Sequence, residues 1–197
     1  AILALSGPVL NPPGAQTAGG GPLLLVVDNG WSAASRWDAR MSAMDNALDA
    51  AQRNGQTVIL APTASVSQSW SATPATPADV RERAASLEPV PYAPDRALVA
   101  DRLGETLPAD QAFDVLWLSD GVAHPGTEAL ATRLRDVADS LTVVSDPSGQ
   151  TPLGMYGYTG EDRSLRARVL RPGGEAVSGQ VHALSARGDR LAEATYS

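Results

Sequence analysis

Leu23-Leu24-Leu25-Val26-Val27-Asp28-Asn29-Gly30-Trp31-Ser32 decides how this chain is read. Five apolar residues run straight into an acidic turn containing glycine, and a long helical pattern follows. An uninterrupted apolar run of this length marks a strand buried on both faces, as in a parallel sheet covered by helices. Such a strand delivers the residue after it to the C-terminal edge of the sheet, where open α/β folds bind their ligands. Val115-Leu116-Trp117-Leu118-Ser119-Asp120-Gly121 repeats the device later in the chain. The chemistry to explain is what Asp28, Ser32 and Asp120 do together.

Outward from that strand, Trp37, Met41, Met44, Leu48 and Ala51 fall on one face of a helix expected over 35–53. Ser35 is its expected N-cap, Asp38 stands three residues on, and Asn54-Gly55 is a stop suited to a left-handed residue. Thr57–Ala61 reads as the second strand, ended by Pro62, and completes a βαβ unit. Residues 62–77 are rich in Ser, Thr, Ala and Pro and read as a long loop anchored by Trp70, with a short edge strand at Val66–Trp70. Helices are expected at 78–87 and 95–104, joined through Val90-Pro91-Tyr92-Ala93-Pro94. A strand at 113–118, a helix at 126–139 and a strand at 141–144 follow, closed by Ser145–Gly149. The fold class is therefore α/β, a doubly wound, mostly parallel sheet with its first strand near the centre.

After Gly149 the helical period stops. Leu165–Leu170, Gly179–Ala186 and Arg190–Tyr196 are short β-like runs with turns at Arg171–Gly174 and Arg187–Asp189. The expected domains are thus 1–22 as a lead-in (the end of a transmembrane helix and a linker), 23–149 as the α/β domain and 150–197 as the start of a β-rich, sandwich-like domain. Residues 11–22 are a Pro/Gly-rich linker. The apolar run Ile2–Leu5 before Gly7-Pro8 reads either as an arbitrary chain boundary or as the tail of a transmembrane helix, and Arg190–Ser197 reads as a strand in progress.

Composition narrows the function. The net charge is −7, so the basic stripe that nucleic-acid binding needs is missing. Without cysteine there is no disulfide, thiolate zinc site or cysteine nucleophile. Two carboxylates and a hydroxyl converging above a sheet edge form an oxygen-only set, which suits a hard divalent cation, Mg²⁺ above all.

Asp28-Asn29-Gly30-Trp31-Ser32 resembles the D-x-S-x-S motif of von Willebrand factor A domains, with glycine in place of the middle serine. Leu116–Gly121 resembles their hydrophobic-T-D-G motif, with Ser119 for threonine, and the element order over 23–146 matches as well. A narrower resemblance is to bacterial membrane proteins of the BatA (aerotolerance regulator) type carrying a DUF4159 region. It rests on Ile2–Pro12, Leu24–Ala34 and Ala61-Pro62-Thr63-Ala64. The resemblance implies a metal-ion-dependent adhesion site in which Asp28, Ser32 and Asp120 hold Mg²⁺, with Asn29, Gly30, Trp31 and Gly121 around the binding face. It implies a non-enzymatic module that binds another protein, anchored by a helix mostly outside this chain in the inner membrane of a Gram-negative bacterium, with this domain periplasmic. Two features depart from the pattern. Gly30 removes one hydroxyl, and Pro91–Asp95 has no threonine where that family supplies another ligand. Thr63 substitutes only if the loop after the second strand folds over the site. The competing reading is a metal-free relic in which Asp28 and Asp120 cap helices or bond loop amides.

Other chemistries are weaker. Asp28, Ser32 and His124 are the residues a hydrolase would use, but no G-x-S-x-G elbow surrounds Ser32, and His124 is expected on a solvent-facing loop. Phosphotransfer to Asp28 lacks a D-x-D pair and a lysine; the sequence contains no Lys. Gly19-Gly20-Gly21 precedes the strand, so it is no P-loop. Arg187-Gly188-Asp189 reads as a hairpin turn and His182 as a surface residue. Trp31 is either an exposed interface anchor or a ring packed under the Ser/Pro-rich loop.

Overall fold

The structure, a computed structural model, describes residues 20–145, 152–159, 165–171 and 178–196. By its contacts the chain divides after Gln150 into two compact units. The lead-in at 1–19 and the turns at 146–149 and 172–174 lie outside the described residues.

The first unit is a doubly wound α/β fold around a four-stranded parallel sheet. Its strands are β1 (Leu23–Val27), β2 (Val58–Pro62), β3 (Phe113–Ser119) and β4 (Ala138–Ser145), in the order β2-β1-β3-β4. Every residue of β1 is buried. Alternation along the strand explains why an unbroken apolar run is needed. Leu24 and Val26 face one core with Val99 and Leu103 of α3 (Arg96–Thr106) and Leu130 and Leu134 of α4 (Thr127–Val137). Leu23, Leu25 and Val27 face the other, with Met44 and Leu48 of α1 (Trp37–Arg53) and Val80 and Ala84 of α2 (Pro77–Ala84).

Three expectations are corrected here. The first helix has no Ser35 cap: a 3-10 helix over Trp31–Arg36 runs straight into α1, so Ser35 is already inside helical structure. The segment Val66–Trp70 is not an edge strand but a set of turns, and the chain returns to the edge of β2 only as a bridge between Ala75 and Val58. Trp70 does anchor this loop, packing on the α3 side of the core while its carbonyl accepts from Arg102 Nε at 2.8 Å. The last helix is shorter than its apolar pattern, because Ala138 leaves α4 directly into β4. Gly55 ends α1 at a φ of 66°, the left-handed geometry its sequence position required.

The second unit consists of antiparallel hairpins. One pairs β5 (Gly154–Thr159) with β6 (Leu165–Leu170) and another β7 (Gly179–Leu184) with β8 (Arg190–Tyr196). Arg187-Gly188-Asp189 is the turn of the second hairpin, where the Ser185 hydroxyl accepts from the amides of Arg187 and Asp189. His182 is exposed.

Candidate functional site

The chain leaves β1 to one side to make β2 and to the other to make β3. The point where the strand order reverses therefore lies between β1 and β3. Parallel register puts Val27 beside Leu118, so Asp28 and Asp120 emerge side by side above the C-terminal edge. Backbone bonds tie the two turns together. Asp28 N donates to Leu118 O at 3.0 Å and Asp120 N donates to Asp28 Oδ2 at 3.1 Å.

The cation between these carboxylates is a residue that sequence reasoning passed over. Arg96 is the first residue of α3, its side chain is 1% exposed, and those of Asp28 and Asp120 are 0% exposed. Arg96 Nη2 stands 2.6 Å from Asp28 Oδ2 and 2.8 Å from Asp120 Oδ1, and Nε reaches Asp28 Oδ1 at 3.4 Å. Nη1 donates to Val122 O and Thr127 Oγ1, each at 2.8 Å. The guanidinium lies over the Trp117 ring, 4.9 Å from its centroid, and Trp117 Nε1 is 3.3 Å from Asp28 Oδ2. A guanidinium has five N–H groups in a planar fork, and here every nitrogen has acceptors.

Three hydroxyl or imidazole groups complete the cluster. Thr63 is fully buried and donates to Asp28 Oδ1 at 2.7 Å. It is the first residue after β2, its amide donating to Val27 O at 2.9 Å, so the strand register brings it there without the loop folding over the site. Ser32, also fully buried, donates to Asp120 Oδ2. His124 is not solvent-facing as expected. Its side chain is 6% exposed, with Nε2 2.8 Å from Asp120 Oδ2 and 3.3 Å from Ser32 Oγ. Burial raises the Asp120 pKa, but the bonds from His124, Ser32 and the Val122 amide outweigh it and hold the carboxyl at about 2.

Mg²⁺ needs several oxygen ligands at roughly 2.1 Å in near-octahedral array. Asp28, Ser32 and Asp120 do converge, as the motifs required. Yet the facing carboxylate oxygens are spent on Arg96, and Ser32 is spent on Asp120. As folded, this donor set does not fit a divalent ion, because a second cation would sit against a buried guanidinium.

The other predicted residues divide by depth. Asn29 is buried and holds loops together. Its Nδ2 donates to Ser65 Oγ at 2.6 Å, its Oδ1 accepts from Ala64 N at 2.8 Å, and its carbonyl accepts from Val90 N. Gly30 is buried as well. A Cβ there would lie 2.6 Å from Pro94 Cδ and 2.8 Å from Tyr92 O, so the missing hydroxyl is the condition for the 88–95 segment to close down. Its φ of −75° is ordinary, so close approach is what demands glycine. Trp31 is half-buried, its amide donates to Tyr92 O at 3.0 Å, and Tyr92 is 67% exposed. Gly121 is exposed, with a φ of 76°.

Compared with known proteins, the chain matches no family model and no curated protein. Among the described residues, no helix is long and apolar enough to cross a membrane.

Arg96 had one signal in the sequence. It follows the N-cap Asp95, whose side chain accepts from Leu98 N. A cation at the first position of a helix opposes the helix dipole, so it needs a carboxylate close by.

Proposed function

We propose that this chain is a non-enzymatic protein-binding module of von Willebrand factor A type, belonging to a membrane-anchored bacterial envelope protein of the BatA kind. It docks a partner protein on the C-terminal edge of its sheet, on the periplasmic side of the inner membrane. The observation that carries the reading is the division of the edge into a closed polar centre and an aromatic rim. Asp28, Asp120, Arg96 and Ser32 are buried and bonded to one another, whereas Tyr92 stands 67% exposed next to half-buried Trp31. Aromatic side chains beside a rigid, desolvated centre are what protein interfaces use as anchors. The motif likeness of 28–32 and 116–121 supports the same reading, and the likeness of 2–12 supports the anchor and the location.

A photo-crosslinking residue at Tyr92 of the full protein in cells tests the proposal, with the same residue at exposed Gln52 as control. A discrete adduct at Tyr92 that is absent at Gln52 and lost in Trp31→Ala is the expected result. Equal adducts at both positions, or none, removes the reading.

The competing reading is a hydrolase, and one observation favours it: Ser32, His124 and a carboxylate do meet. The carboxylate is Asp120 rather than Asp28, and the geometry is not that of a relay. In a serine hydrolase the carboxylate holds one imidazole nitrogen and the serine bonds the other. Here Asp120 and Ser32 share Nε2, and Ser32 donates to the carboxylate itself. Turnover of p-nitrophenyl esters that disappears in Ser32→Ala would establish the hydrolase instead.

A further inference from the structure

We infer that Arg96 is the resident cation of the switch-point crevice, so that the binding face is built without metal, and that removing this one side chain converts the crevice into a divalent-cation site. The inference stands on the cluster itself and holds whether or not the edge binds a partner.

A carboxylate pair converging on one point above a parallel sheet needs a counter-charge, since two buried like charges within a few ångströms cannot both remain ionised unaided. In this chain the counter-charge is covalently attached. One guanidinium nitrogen bridges Asp28 Oδ2 at 2.6 Å and Asp120 Oδ1 at 2.8 Å. The rest of the group is held as well. Nη1 is fixed between Val122 O and Thr127 Oγ1, and the flat face rests on Trp117. The elements that place Arg96 are fixed in turn. Asp95 N donates to Thr63 O at 2.9 Å, and Gly126 lies so close to α3 that a Cβ would stand 2.3 Å from Ala97 N. A free ion would have to displace a guanidinium that is 1% exposed and has an acceptor at every nitrogen.

The surrounding oxygen atoms explain what removal would do. Asp28 and Asp120 carry two charges, and Thr63 and Ser32 contribute hydroxyls already directed at those carboxylates. Arg96→Ser leaves these oxygens with a cavity and without the guanidinium, only His124 Nε2 remaining against Asp120 Oδ2, and a set of carboxylates and hydroxyls is what Mg²⁺ or Mn²⁺ takes.

The test is a titration of wild type, Arg96→Ser and the double variant Arg96→Ser/Asp120→Asn with Mn²⁺ and Mg²⁺. It is followed by calorimetry, by Mn²⁺ paramagnetic resonance and by the thermal midpoint. Wild type should show the same midpoint in chelator and in millimolar Mn²⁺, and no tight site sensitive to Asp120→Asn. Arg96→Ser should gain one site binding Mn²⁺ at least ~10-fold more tightly than wild type, lost in the double variant. Should Arg96→Ser be unfolded without metal, recovery of its circular-dichroism spectrum on adding Mn²⁺ is the same positive result. A wild-type site abolished by Asp120→Asn would overturn the inference. So would an Arg96→Ser protein that is folded, or unfolded, identically with and without Mn²⁺.

Discussion

Arg96 is the residue on which the site turns. Breaking a buried ion pair from one side leaves an uncompensated charge, which costs about 3–5 kcal/mol. Arg96→Met should therefore lower the free energy of unfolding in urea by that amount, while keeping much of the stacking on Trp117. Arg96→Lys should recover only part of the loss, because an ammonium cannot bridge both carboxylates while also reaching Val122 O and Thr127 Oγ1. Asp120 sets the acid limit. Its folded pKa of about 2 lies below the usual carboxylate value near 3.9, so between these the unfolded chain binds more protons. Stability then rises with pH: about 2 kcal/mol is present above pH ~4 and is lost as pH falls toward 2. Unfolding curves from pH 5 to 2 should show this slope, and Asp120→Asn should flatten it.

At the scale of elements, the turn after β1 and the connection into α3 are fitted to each other through Gly30. Gly30→Ala places a methyl group against the Pro94 ring and the Tyr92 carbonyl, both closer than 3.0 Å. The 88–95 segment must lift, costing about 1–3 kcal/mol. Acrylamide should then quench tryptophan fluorescence more strongly than in wild type, since Trp31 is bonded to the same carbonyl. Unchanged stability and quenching would show that the segment is not seated as described. Much of this level was legible. The apolar run of β1, the stripe of α1 and the Asn54-Gly55 stop all express a local period or a local φ requirement. Ser35 misled because side-chain capping propensity was overridden by the backbone, which turns helically from Trp31 once Gly30 has placed it.

The whole first unit hangs on one sheet with a core on each face. Leu103 lies in one core and Leu48 in the other, both fully buried. Leu103→Ala and Leu48→Ala should each cost about 2–5 kcal/mol. Their effects should add, because the two cavities share no partners. The sum approaches the 5–15 kcal/mol that stabilises a typical domain, so the double variant should be marginal while each single variant unfolds in one cooperative transition. A single variant that melts in two steps would show that the two faces are separate cooperative units.

The sequence by itself determined the α/β class, the central place of β1 and the meeting of Asp28, Ser32 and Asp120. Those follow from hydrophobic period and from strands ending in a carboxylate, both of which are local in the chain. Only the tertiary structure decided what neutralises that meeting. Arg96 is 68 residues from Asp28 and 24 from Asp120, and Thr63 is 35 from Asp28. The position of Arg96 at a helix start calls for some carboxylate nearby, and Thr63 follows a strand, but neither local pattern says which residues will meet. Their convergence depends on which helix packs on which face and on how closely α3 approaches Gly126, a matter of chain path rather than of sequence period.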